Sequence, residues 1–129
     1  MTRARVKGIA PFFVVRDVER SIAFYCDILG FETRFREPES RPFFAIVGRD
    51  SVHLFLKSED GVAPLPNPER HPELKWDAYV SVPDPDRLAG EFAGRGAVFH
   101  EPLKDTSDGL RGFEIGDPDG YIVFFGRPR

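Results

Sequence analysis

The sequence predicts an α+β domain of two tandem strand–helix–strand–strand–strand modules, and three observations carry that reading. First, Val14 to Phe31 reads as the end of a strand, a capped helix, a glycine stop and a new strand. Second, Val80 to Phe99 repeats that grammar, with Asp17 aligned to Asp84, Gly30 to Gly96 and Pro38 to Pro102. Third, each half closes on a tight-turn hairpin, at Gly48–Ser51 and at Asp117–Gly120. An internal repeat constrains architecture more firmly than any single element. The chain is expected to form one domain over residues 1–129, with module one at about 8–58, a linker at about 59–74 and module two at about 75–127.

Each element has a local cause. Gly8 to Val15 is an apolar, partly β-branched and aromatic run, expected to be a buried strand, with Pro11 marking an edge or bulge. Asp17 caps a helix whose apolar positions Val18, Ile22, Tyr25 and Leu29 follow helical spacing, and Gly30 stops it. Phe31 to Arg36 alternates as a half-exposed strand; Phe43 to Val47 and Val52 to Lys57 form the hairpin around Gly48–Ser51. Glu59 to Glu73 carries Pro64, Pro66, Pro68 and Pro72 and reads as an irregular loop, long enough to order over a site or a partner.

The second half opens with a strand at about Trp76 to Val82. Asp84 caps a helix with Pro85 at its first position, a core face of Leu88, Ala89, Phe92 and Ala93, and an end at Gly96. Val98 to Glu101 is expected to be a short strand, Lys104 to Gly109 a polar turn, and Leu110 to Gly116 and Tyr121 to Phe125 a hairpin. Its Asp117-Pro118-Asp119-Gly120 connection is a strong turn signal.

Composition excludes several classes. The 129 residues are long enough to bury a core, and 41% hydrophobic content is too high for a disordered chain. The net charge of −3 and a pI near 5.6, with no long basic run, argue against nucleic acid as a partner and are compatible with cationic ligands. No apolar run approaches the roughly 18–20 residues of a membrane span. The basic start of the chain lacks the apolar stretch and cleavage site of a signal peptide, so a soluble cytoplasmic protein is the expectation. Cys26, the one cysteine, excludes an intrachain disulfide and reads as a small packing residue. Thirteen phenylalanines exceed what a small core needs.

The segments Val15-Arg16-Asp17-Val18-Glu19-Arg20-Ser21-Ile22-Ala23-Phe24-Tyr25-Cys26-Asp27-Ile28-Leu29-Gly30-Phe31 and Gly112-Phe113-Glu114-Ile115-Gly116-Asp117-Pro118-Asp119-Gly120, in this order and spacing, resemble the vicinal oxygen chelate superfamily of glyoxalases, bleomycin-resistance proteins and extradiol dioxygenases. The resemblance covers nearly the whole chain. It implies the glyoxalase/bleomycin-resistance fold, in which two βαβββ modules with curved mixed sheets enclose a cleft, often completed by a second chain in a homodimer. In metal-dependent relatives four inward side chains bind a divalent ion. Counting from Asp17, Asp84 and the hairpin turns, these positions fall on Ala10, His53, Asp77 and Phe124. Alanine and phenylalanine cannot ligate a metal, and the remaining two side chains fall short of the three of a catalytic zinc or facial-triad site. No metal or other cofactor is therefore expected.

With those four positions inward, strand alternation also turns Phe12, Val14, Ser51, Phe55, Tyr79, Ser81 and Ile122 into the cleft, and Phe13, Val15, Leu54, Val80, Val123 and Phe125 toward the helices. Candidate ligand-binding residues are Phe12, His53, Phe55, Trp76, Asp77, Tyr79, Arg111, Phe113 and Phe124, with Trp76 at the cleft mouth beside the linker. His53 is chemically able to act as a base or an orienting donor, or is a satisfied interior histidine; Asp77 is its candidate partner across the cleft. Arg111 suits a ligand carboxylate or phosphate, or a surface ion pair. His71 and His100 are expected to be exposed and Tyr25 to be core. The resulting expectation is a metal-free binder of an aromatic or cationic small molecule, resembling bleomycin-resistance proteins. The alternative is a metal-dependent lyase or dioxygenase of the same superfamily with an atypical site.

Overall fold

The computed structural model describes residues 2–129. Strands β1 (Phe12–Val14), β2 (Glu32–Glu37), β3 (Phe44–Arg49) and β4 (Val52–Lys57) form one sheet in the order β1-β4-β3-β2. Strands β5 (Ala78–Ser81), β6 (Phe99–Asp105), β7 (Leu110–Gly116) and β8 (Ile122–Pro128) form a second in the order β5-β8-β7-β6. In each sheet the first strand runs parallel to the last and the remaining pairs are antiparallel. The helices are α1 (Val18–Ala23), α2 (Asn67–Arg70) and α3 (Pro85–Gly94). The predicted α+β architecture of two repeated modules is present.

The caps that predicted the repeat are formed. The Arg20 amide donates to Asp17 Oδ1 at 3.2 Å and the Arg87 amide to Asp84 Oδ1 at 3.0 Å. The chain leaves each helix through a left-handed glycine, Gly30 at φ 69° and Gly96 at φ 92°, where a side chain would be strained. The run from Asp17 to Gly30 is one residue longer than that from Asp84 to Gly96. A π-helical turn over Phe24–Ile28, continuing α1, absorbs the extra residue.

Three boundaries differ from the sequence reading. The first strand begins at Phe12, and Ile9 is 98% exposed. Pro11 offers a carbonyl to the Phe55 amide but has no N–H for the ladder, so pairing stops there, on an edge strand. Strand β6 is longer than expected and carries two register shifts against β7. The linker contains α2 and is anchored: Pro64 and Pro66 are buried, and the Leu65 amide donates to Tyr121 Oη at 3.3 Å.

Alternation sorted the two faces of the strands well. Phe13, Val15, Leu54, Val123 and Phe125 are all buried in a core that also takes in Tyr25, Leu29, Phe92 and Phe113. This core is continuous across the modules, and the Phe13 and Tyr121 rings stack at 4.2 Å. No helix is long and apolar enough to cross a membrane among the described residues.

Each hairpin turn grips the other module's helix. Tyr25 Oη of the π-helical turn donates to the buried carboxylate of Asp117 at 2.9 Å. The other oxygen of Asp117 accepts the Asp119 and Tyr121 amides at 2.9 and 3.0 Å. Asp119 in turn accepts from the Arg16 amide and from the Arg20 guanidinium. Reciprocally, Arg49 at the end of β3 makes two 2.7 Å bonds to Glu91 of α3, and its guanidinium lies 5.9 Å from the Phe92 ring centre. Arg49 thereby holds the Glu91 carboxyl below its usual range.

Burial outweighs the three donors at Asp117 and raises its carboxyl from 3.8 to about 6. The folded chain therefore keeps a proton that the unfolded chain has released between about pH 4 and pH 6. Stability from this residue is complete below that window and is lost as pH rises through it. In urea unfolding, the wild type should lose up to about 3 kcal/mol relative to Asp117→Asn across the window. Parallel pH dependence of the two proteins would contradict this account.

Candidate ligand cleft

Strand register decides which side chains meet in the cleft. Phe12 pairs with Phe55, and Tyr79 pairs with Phe124. Phe12 and Tyr79 stand at the same distance before their helix caps, so Phe55 is the counterpart of Phe124, and Ile122 is the counterpart of His53. The sequence reading had matched His53 to Phe124. The two registers differ by two residues, which keeps both side chains on the same face but moves them along the strand. The structural repeat therefore places phenylalanine at both last-strand positions.

In module two the aromatic residues form a platform. The Phe124 ring packs against Trp76 at 4.6 Å and Tyr79 at 5.4 Å, and those two rings also meet each other at 5.7 Å, so the three centres form a triangle. It rests on bare backbone, the opposed pair Gly112 and Gly126. A Cβ on Gly126 would stand 2.6 Å from the Phe124 ring and 2.5 Å from the Arg111 carbonyl oxygen. One on Gly112 would stand 2.6 Å from the ring and 2.3 Å from the Phe125 carbonyl oxygen. Phe124 is only 2% exposed, whereas Tyr79 is 39% exposed and Trp76 is half-buried, so the open surface of the group belongs to Trp76 and Tyr79.

A cavity of about 510 Å³ adjoins the platform, bounded by Trp76, Phe124, His100, Glu114 and the linker residues Pro68 and Pro72. Glu114 pairs with Phe124 across β7 and β8 and so faces the cleft. Its carboxylate accepts the Trp76 indole N–H at 3.1 Å and meets His100 Nδ1 at 2.9 Å.

Module one presents a looser group. Phe44 lies 6.4 Å from Phe12, 5.7 Å from Phe55 and 6.0 Å from Phe35 between ring centres. Phe12 is 58% exposed. At the far end of this face, Arg34 lies flat over Gly48, where a Cβ would be 2.7 Å from the guanidinium. Arg34 Nη1 stands 2.9 Å from His53 Nε2. A guanidinium can only donate, so Nε2 is the acceptor and the neutral ring carries its proton on Nδ1.

His53 and Asp77 do not pair. Asp77 Oδ1 accepts the Asn67 amide at 2.7 Å and Oδ2 the Ile122 amide at 2.8 Å, so its carboxylate pins the linker to the start of β8. Two backbone donors, rather than an imidazole, satisfy this charge. The set Ala10, His53, Asp77 and Phe124 does not fit a divalent ion. Two members have no lone pair to give, one faces an arginine and one is spent on amides. No group of three or more His, Cys, Asp or Glu placed to hold a metal occurs among the described residues.

Two further site expectations are corrected. Phe113 pairs with Phe125 on the helix side of the sheet and is 1% exposed, in contact with Phe92 of α3. Arg111, two residues away, shares that face and makes two 2.8 Å bonds to Asp86 and one of 3.1 Å to Asp105. The period of two that turns Phe124 into the cleft turns Phe113 and Arg111 out of it. Conversely, Phe35, Phe44, Arg34, His100 and Glu114 were not picked out. The alternation Phe113-Glu114-Ile115 carried the signal for Glu114, while a register shift between Thr33 and Phe35 obscured the facing of β2. His100 is exposed, as expected, but it also borders the cavity.

The glycine floor generates a direct test. Gly126→Ala should destabilise the protein by about 1–3 kcal/mol in chemical unfolding, because the methyl meets both backbone and ring. It should also shift the emission of Trp76 by displacing Phe124. Wild-type stability and emission in the variant would show that the ring does not rest there.

Comparison with known proteins agrees with this fold. A family model described as Glyoxalase/Bleomycin resistance protein/Dioxygenase superfamily matches residues 8–125. No curated protein sequence matches significantly. Among solved structures, the bleomycin-binding protein of bleomycin-producing Streptomyces verticillus, complexed with copper(II)-bleomycin, is similar with a TM-score of 0.71 and 27% identity, over 98% of this chain and 100% of that one. The antibiotic-binding protein TnmS3 of Streptomyces sp. CB03234 has a TM-score of 0.69 and 20% identity, over 98% and 100% of the two chains. A glyoxalase-related enzyme of Clostridium phytofermentans has a TM-score of 0.73 and 15% identity, over 98% of each. These last two show the shared fold alone. With the repeat, the strand order and the family match over nearly its whole length, the chain belongs to the glyoxalase/bleomycin resistance protein/dioxygenase superfamily.

Proposed function

We propose that this protein binds and sequesters a small aromatic or cationic molecule in the cleft, without metal chemistry. The observation that carries the reading is the aromatic surface of the cleft. Trp76 and Tyr79 pack against each other and against a Phe124 ring seated on a glycine floor, and Phe12, Phe35, Phe44 and Phe55 cluster on the cleft face of module one. Rigid rings offer large contact area at little conformational cost, and their faces accept cations. A cavity of about 510 Å³ beside Trp76 is within the usual range for a small-molecule site. The misfit of the metal-ligand positions and the net charge of −3 support the same reading. The bleomycin-binding and antibiotic-binding proteins among its structural neighbours bind drugs on this fold.

A homodimer is part of the proposal, because the half-exposed phenylalanines of module one leave that half of the cleft open in a single chain. Gel filtration should then give a mass near twice 14.6 kDa.

Trp76 is the only tryptophan, so its fluorescence reports on the cleft directly. Titration with a panel of planar aromatic and cationic compounds should give saturable quenching by at least one class. Tyr79→Ala should weaken that binding by about threefold to tenfold. A folded protein whose Trp76 emission responds to no member of the panel would count against the proposal.

A further inference from the structure

We propose that Glu114 is the charge-selecting residue of the cleft and that the ligand it selects is a planar aromatic cation. This rests on the binding reading above and deepens it.

The other partly buried carboxylates of the cleft and the module junction are matched by positive partners or by amides. Glu91 is held by Arg49 and Arg95, Asp119 by Arg20, and Asp77 by two backbone N–H groups. Glu114 is not matched in this way. Its side chain is 14% exposed, and its ion-pair partner among the described residues is His100, which is charged only when protonated. Lys104, on the same cavity wall, is committed to Glu101 at 3.1 Å, and neither it nor Lys75, which also lines the cavity, forms an ion pair with Glu114. A carboxylate removed from water without a permanent counter-charge is costly. One that opens into a cavity can recover that cost from a cation.

The geometry states which kind of cation. Each carboxylate oxygen of Glu114 accepts one bond, from Trp76 or from His100, and each retains a further lone pair. The Trp76 indole touches both the carboxylate and the Phe124 platform, at 3.1 Å and 4.6 Å. A charged group against Glu114 therefore has its aromatic plane against Trp76 with no spacer between them. A flexible aliphatic amine fills only the first half of such a site, and an uncharged ring only the second. Trp76, with its N–H spent on Glu114, offers its face rather than a donor.

The test uses two ligands of one shape. N-methylacridinium is permanently cationic, and acridine is uncharged at mildly alkaline pH, where both are titrated into the full-length protein by Trp76 fluorescence and calorimetry. The wild type should bind the cation at least about tenfold more tightly than acridine, as expected for a charge-assisted contact in a partly desolvated cleft. Glu114→Gln keeps an acceptor for the Trp76 N–H and removes the charge, so the preference should fall to near unity. Glu114→Asp should retain a preference for the cation. Equal affinity of the wild type for the two probes overturns the assignment of Glu114 and leaves the binding reading standing. A preference that persists in Glu114→Gln overturns it too. If Glu114→Gln binds neither probe, the residue serves to hold Trp76 and does not select charge. If the wild type binds neither, both the assignment and the wider reading of the cleft fail.

Discussion

The contact on which the rest of the structure depends is the buried bond from Tyr25 to Asp117. Asp117 organises its own hairpin turn by accepting two amides of that turn, and with its remaining oxygen it captures the hydroxyl of a helix in the other module. Burial keeps the tyrosine protonated well beyond its usual range, so it stays a donor. The reciprocal grip of Arg49 on Glu91 follows the same plan with the charges redistributed. In both cases a turn between the two final strands of one module is fastened to the helix of the other. Phe55 and Phe124 lie on the strands that leave those turns. Module orientation and cleft geometry are consequently set by the same few side chains.

The two modules use one strand order for different ends. In module two the final strand carries Phe124 over glycine, Trp76 and Tyr79 close upon it, and the proline-rich linker is drawn alongside by Asp77. The result is a preformed platform with one carboxylate beside it. In module one the equivalent phenylalanine, Phe55, meets Phe12 and Phe44 at tilted angles, and Phe12 remains largely open. Arg34 closes the far end of that face by lying on Gly48. One half is a close-packed ring cluster beside a carboxylate, and the other a more open ring cluster with Arg34 and His53 at its far end.

Fold was legible because its signals are local. Asp17, Asp84, Gly30, Gly96 and the Asp117–Gly120 turn act through caps and φ angles that depend on their neighbours in sequence. The face of each strand was legible for the same reason, since alternation is local until a bulge interrupts it, as between Thr33 and Phe35. Partners were much less legible. Nothing in the sequence places Arg34 beside His53, or two amides on Asp77, because those contacts join segments far apart in the chain. Arg111 and Phe113 were drawn toward the cleft by the motif they sit in, although the parity of β7 sends them to α3. Glu114, between two core residues, was readable from that parity alone. That its ion-pair partner among the described residues is a histidine was not.

The proposed binding surface is the platform around Trp76. The single indole N–H gives one side-chain resonance in a proton–nitrogen NMR spectrum, and that proton is the one donated to Glu114. On addition of a planar aromatic cation this resonance should shift together with the amides of Tyr79, Glu114 and Phe124. Shifts confined to α1 and α3, with the indole unmoved, would contradict the account.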